Sequence, residues 1–150
     1  MPSSWTQNFY HAVFSTKDRR AFIKPDYEER LHSYTGGVLR DLGCTPVAIN
    51  GMPNHLHILV RYPATLTHAD MLRHVKSRSS VWMHESFLEL RSFSWQEGYG
   101  GFTVSKSALD QVAEYIRRQK EHHRGLSFEE EFLGLLRRHG VEFEEGEVFG

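Results

Sequence analysis

The chain has 150 residues, 39% hydrophobic and 13% aromatic, which is enough for one domain with its own core and too apolar for a disordered segment. Its single cysteine, Cys44, excludes an internal disulfide and a multi-cysteine zinc cage; with no signal-peptide pattern and no apolar run of membrane length, a soluble cytoplasmic protein is expected. The net charge of −1 hides a split: residues 1–124 hold 16 Lys and Arg against 12 Asp and Glu, whereas residues 125–150 hold 2 against 7, so a mildly basic body precedes an acidic tail.

Residues 4–16 read as a first strand, with Tyr10, Ala12 and Phe14 on one face and Phe9, His11 and Val13 on the other, both faces covered. Lys17-Asp18-Arg19-Arg20 is a polar turn. Pro25, in a favourable first-turn position and followed by Asp26, Glu28 and Glu29, opens a helix that should stop near Gly43, with Leu31, Tyr34, Val38 and Leu42 as its buried stripe. A hairpin follows: residues 45–50, a turn at Gly51-Met52-Pro53-Asn54, and a strand over residues 55–61.

That last strand begins His55-Leu56-His57-Ile58-Leu59-Val60. Side chains alternate along a strand, so His55 and His57 share one face while Leu56, Ile58 and Val60 line the other. Two adjacent imidazoles can share a metal ion, although an ordinary packed pair shows the same spacing. Thr67-His68-Ala69-Asp70 starts a second helix reaching about His84, with Leu72, Val75 and Trp82 inward. Its outer Arg73, Lys76 and Arg78 suit either a nucleic-acid backbone or plain solvent. Residues 92–96 and 101–104 read as short strands around a glycine-rich bend, and Ser107-Ala108-Leu109-Asp110 as the capping box of a helix reaching about His123.

In that helix Leu109, Val112, Ala113 and Ile116 form the buried stripe, and Tyr115 and Gln119 lie on its flank, one turn apart. With the histidines they make a coherent chemical set. Two imidazole nitrogens and an amide oxygen would hold a divalent ion with positions left open for a substrate oxygen, and Tyr115 would supply a nucleophile for a metal-polarised phosphodiester. The resulting phosphotyrosine could later be attacked by a free 3′-hydroxyl, so cutting and rejoining become one reversible chemistry.

The segments Gly51 to Val60, Tyr115-Ile116-Arg117-Arg118-Gln119 and Tyr10-His11-Ala12-Val13-Phe14-Ser15-Thr16-Lys17 resemble the single-tyrosine HUH transposases of insertion sequence 200/605 elements and their REP-associated relatives. The resemblance spans about Asn8 to Arg124. It implies an α+β, ferredoxin-like fold, an antiparallel sheet with helices on one face, and a homodimer acting on single-stranded DNA ends that carry hairpins. It further implies His55, His57 and Gln119 as ligands of magnesium or manganese, and Tyr115 as the nucleophile. Arg118 stands where relatives often carry Asn. The cluster of Arg117, Arg118, Lys120, His122, His123 and Arg124 would then border the cleavage site and neutralise DNA phosphates. In this family the tyrosine helix can serve the partner's histidines.

A transposase domain over residues 1–124 is therefore expected. After it come a helix capped by Ser127, docked through Phe128, Phe132, Leu135 and Leu136, and an acidic tail from Val141 that reads as disordered or, alternatively, as a shield over a basic surface. Glu129, Glu130 and Glu131 suit that helix's N-terminus. Two other readings compete. One is an inactive ferredoxin-like nucleic-acid-binding module with Trp95 and Tyr99 stacking bases. The other is a zinc hydrolase, disfavoured because the motif lacks a carboxylate base.

Overall fold

The computed structural model describes residues 3–149. Four strands, β1 (Asn8–Ser15), β2 (Thr45–Met52), β3 (His55–Tyr62) and β4 (Gly100–Val104), form one antiparallel sheet in the order β2-β3-β1-β4. Helices α1 (Pro25–Asp41) and α2 (His68–Ser86) connect β1 to β2 and β3 to β4. This is the ferredoxin-like alternation, and it puts β1 and β3, the strands bearing the histidines, at the centre of the sheet.

One face of the sheet presents Tyr10, Ala12, Phe14, Leu56, Ile58 and Val60 to Leu31, Val38 and Leu39 of α1 and to Met71, Leu72, Val75 and Met83 of α2. These side chains form the main core, and fully burying each aliphatic one contributes about 1.5–3 kcal/mol. The expected helix layer is thus present, and the opposite face is covered as well. There α3 (Leu109–Arg117) packs Leu109, Ala113 and Ile116 on Phe9 and Leu59, while α5 (Phe128–Arg138) packs Phe128, Phe132, Leu135 and Leu136 on Val13 and Phe102. Between these two small apolar clusters runs a seam in which the histidines sit.

Several expected elements come out differently. Residues 92–96 form no strand; Trp95 makes one isolated bridge to Thr16. Phe93 and Trp95 are buried around the less buried Ser94, so the period-two burial that suggests a strand comes from packing against Phe14 rather than from a ladder. The capping box at Ser107 is absent, because α3 begins after a 3-10 turn (Lys106–Ala108) with no side-chain cap, and the Ser107 hydroxyl pairs with that of Ser105 instead. Thr67 does cap α2, accepting from the Asp70 amide at 3.1 Å. In α2 Met83 is fully buried, and Trp82 is only partly so, stacked on Tyr34.

The tail is ordered through Phe149. Phe143, Val148 and Phe149 pack on the α5 cluster, a short helix α6 spans Glu145–Val148, Arg137 pairs with Glu145 at 2.8 Å, and Arg19 lies over the Phe149 ring. These aromatic contacts outweigh the acidity that suggested disorder. Gly150 lies outside the described residues.

Candidate functional site

The hairpin turn sets the position of His55. Met52 pairs with His55 across the two-residue turn Pro53-Asn54, whose carbonyls accept from Ile23 and Thr16, both at 2.9 Å. Gly51 packs against this point so closely that a Cβ there would lie 2.1 Å from the His55 carbonyl oxygen, so the glycine is required by sterics. Val13 of β1 pairs with His57, and Ser15 with His55. Both imidazoles are completely buried.

The helix carrying Tyr115 and Gln119 is not continuous. At Arg118 (φ −98°, ψ 23°) it breaks, and a separate turn, α4 (Gln119–His122), follows. Asn50 of β2 holds the break in place, its amide donating to the carbonyls of Ile116 at 3.0 Å and Arg117 at 3.1 Å, groups that a helix end leaves unpaired. Lys120 donates to the Gly51 carbonyl, to Asn50 and to Glu28. Gln119 is thereby driven inward and is fully buried, whereas the sequence placed it on an open flank.

Sequence reasoning missed the residue on which the site converges. Glu131, on the buried side of α5 and 4% exposed, accepts at Oε1 from His123 Nε2 (3.0 Å) and faces His57 Nε2 at 3.1 Å and His55 Nε2 at 3.3 Å. At Oε2 it accepts from Gln119 Nε2 at 2.9 Å and from the Tyr115 hydroxyl. Its spacing was a signal: Phe128, Glu131, Phe132 and Leu135 fall at i, i+3, i+4 and i+7, so Glu131 occupies the apolar stripe. His11 is the other omission, buried on β1 with Nε2 2.8 Å from His57 Nδ1.

The electrostatics follow from this packing. Burial alone would raise the Glu131 carboxyl, but the imidazoles of His123, His55 and His57 around it outweigh burial and hold the group well below the usual carboxylate range. Burial, and then the hydrogen bond to Glu131, push the Tyr115 phenol well above its ordinary value, so it is neutral and already paired with an acceptor. Burial lowers His57 despite Glu131. At His123 burial acts downward, but Glu131 wins and the imidazole is raised.

The donor set fits a divalent cation. His55, His57 and Glu131 each offer a ligand atom, all within 4.8 Å of one another, and the Gln119 amide oxygen lies 3.0 Å from His55 Nε2. His55 Nδ1 faces the Asn54 amide oxygen at 2.8 Å, an acceptor that suits a hydrogen on that ring nitrogen. A neutral ring with its hydrogen on Nδ1 points a lone pair from Nε2 at Gln119 Oε1 and Glu131 Oε1, an arrangement that a positive charge between them, a proton or a metal ion, would satisfy.

The structure thus brings His55, His57, Tyr115 and Gln119 together within one chain, with the Tyr115 and His57 rings 5.9 Å apart. The expected DNA-facing cations are dispersed. Arg73, Lys76 and Arg78 belong to α2, on the opposite face of the sheet. Lys76 fastens the glycine bend through the Gln96 and Gly98 carbonyls, and Arg78 pairs with Asp41 at 3.0 Å. Arg118 pairs with Glu121, and Lys120 is engaged as above, whereas exposed Arg117 has no side-chain partner among the described residues. Trp95, the stacking platform of the competing binding-module reading, is 8% exposed and its indole donates to Ser79. The missing carboxylate that counted against a hydrolase is supplied by Glu131.

Residues 4–119 match the family model described as transposase, IS200 like. The ISDra2 transposase TnpA of Deinococcus radiodurans is 21% identical over 117 residues, covering 75% of this chain and 84% of that protein. A crystal structure of a Deinococcus radiodurans R1 protein described as a transposase superposes with a TM-score of 0.67 at 22% identity, over 79% of this chain and 95% of that one. The structure of a REP-associated tyrosine transposase bound to a REP hairpin gives 0.61 at 16% identity, over 82% and 73%. The matched stretch ends at Gln119, ahead of His123 and Glu131, and its extent leads to one conclusion: this chain belongs to the IS200-like transposases.

Proposed function

We propose that this transposase cuts and rejoins single-stranded DNA through a covalent bond between Tyr115 and a 5′-phosphate, with magnesium or manganese held by His55, His57 and Gln119. The observation that carries the reading is the convergence of two imidazole lone pairs, an amide oxygen and a carboxylate beside a phenol that already donates to that carboxylate. When bound, the ion polarises the scissile phosphate and offsets charge that builds on it. Glu131 Oε2, which accepts from the Tyr115 hydroxyl, would take that proton as the phenol oxygen bonds phosphorus; the P–O bond pair leaves on the 3′-oxygen, which is protonated from solvent to a 3′-hydroxyl. A free 3′-hydroxyl reverses the step and releases Tyr115.

The REP hairpin bound by one structural neighbour suggests hairpin-bearing ends as the substrate class here. Exposed Arg117, beside the site, is the proposed phosphate contact; Arg118 and Lys120 are engaged by Glu121 and Glu28, and Arg73, Lys76 and Arg78 lie on the other face of the sheet. We place the protein in the cytoplasm with its DNA; no helix among the described residues is long and apolar enough to cross a membrane. A homodimer is the proposed assembly, read out by light scattering on the purified chain, although each copy carries every site residue itself.

The test uses labelled single-stranded oligonucleotides from the flanks of the gene, with wild type and Tyr115→Phe, in manganese or chelator, on a denaturing gel. A slow covalent band that needs both the metal and Tyr115 supports the reading. DNA cut without a band indicates a metal hydrolase, a second reading that the Glu131 carboxylate favours because it could serve a water nucleophile. DNA bound but uncut indicates a binding module.

A further inference from the structure

We propose that His11 and Asn54 are positioning residues that fix the tautomers of the two ligand histidines, an inference that rests on the metal reading above. A neutral imidazole coordinates through the nitrogen that lacks hydrogen, so its other nitrogen must donate elsewhere. Both ligand rings meet that condition in the same sense. His55 turns Nε2 to Gln119 and Glu131 and Nδ1 to Asn54 Oδ1 at 2.8 Å; His57 turns Nε2 to Glu131 and Nδ1 to His11 Nε2 at 2.8 Å.

The backbone builds both contacts. His11 lies two residues before Val13, the cross-strand partner of His57, so the two rings are diagonal neighbours on one sheet face, with centroids 5.1 Å apart. Phe102 stands edge-on to His11, which is 3% exposed, so no bulk water competes for the His57 Nδ1 hydrogen. Asn54 occupies the turn residue directly before His55, and that turn is itself pinned to Ile23 and Thr16. His57 Nδ1–H donates to His11 Nε2, which places the His11 hydrogen on Nδ1. Outer partners here are an imidazole and an amide, both neutral, so they orient the ligands without adding charge to a site where Glu131 already supplies one.

Losing such a partner weakens metal binding by about 10–100-fold. The test is a calorimetric titration of the full chain with Mn2+. His57→Ala should abolish binding, His11→Phe and Asn54→Ala should each weaken it by about that factor, and His11→Gln, which restores an acceptor, should recover most of the loss. If His57→Ala binds as wild type does, the metal reading itself fails. If His57→Ala loses binding while His11→Phe and Asn54→Ala keep it, only the positioning role fails. Should His11→Phe not fold, nitrogen-15 spectra of the wild-type histidines at saturating Mg2+ decide: hydrogens on Nδ1 of both His55 and His57 support the proposal, and a hydrogen on Nε2 of either overturns it.

Discussion

Glu131→Ala is the perturbation that most directly probes the site's construction. Among the described residues the carboxylate is the only buried acidic group; it accepts from His123 at 3.0 Å, Gln119 at 2.9 Å and the Tyr115 hydroxyl, and faces His57 Nε2 at 3.1 Å. Alanine leaves a raised His123 without its counter-charge and two buried donors without an acceptor. Removing one member of a buried, hydrogen-bonded charge pair costs about 3–5 kcal/mol. For a chain of this size each kcal/mol moves the midpoint by about 2–4 °C, so Tm should fall by roughly 6–20 °C. The assay is thermal unfolding by circular dichroism at pH 7 in chelator, so that metal binding does not contribute. Glu130→Ala is the control, because it breaks only the Ser127 capping box on the exposed side of α5 and should cost about 1 kcal/mol. A Glu131→Ala protein that melts no lower than the Glu130→Ala protein would refute the idea that the carboxylate organises the site.

Gly51→Ala forces a Cβ to within 2.1 Å of the His55 carbonyl, backbone that cannot yield cheaply; we expect a loss of about 1–3 kcal/mol in a denaturant melt and weaker Mn2+ binding. Asn50→Ala leaves the Ile116 and Arg117 carbonyls unpaired and should cost about 1–3 kcal/mol, with faster amide exchange confined to α3 and α4. DNA affinity should fall steeply with salt, and Arg117→Ala should flatten the log–log slope by about 1. Lys120→Ala, whose ammonium is already engaged by Glu28, Asn50 and Gly51, should lower Tm more than it changes that slope; equal slopes for wild type and Arg117→Ala would remove Arg117 from the DNA path.

What the sequence reveals of this site is whatever depends on local periodicity. Alternation alone put His55 and His57 on one face and Leu56, Ile58 and Val60 on the other, and the structure has them so. Pro25 and Thr67 marked two helix starts for reasons of covalent geometry and capping that act within one turn. The failures are all cases where distant packing decides. Gln119 looks like a flank residue on an ideal helix, yet Asn50, 69 positions earlier, breaks that helix and turns the amide inward. Glu131 sits in a run of three glutamates, each suited to a helix N-terminus, and only its phase with Phe128 and Phe132 separates it from its neighbours. The tail read as disordered because its acidity is visible in composition, while the surface that receives Phe143 and Phe149 is assembled from α5 and from Arg19 in the turn after β1.

The order in which the site residues occur along the chain has a bearing on synthesis. His11, Asn54, His55, His57, Tyr115 and Gln119 all precede the carboxylate at residue 131, which arrives on the last long helix. During translation from the N-terminus the four-stranded sheet can close once Val104 is available, but the phenol then has no acceptor and the histidines no counter-charge. The centre is therefore completed last, after the sheet that carries its histidines is built. A chain truncated by premature termination before α5 would carry Tyr115 and both histidines without the carboxylate that accepts from the Tyr115 hydroxyl.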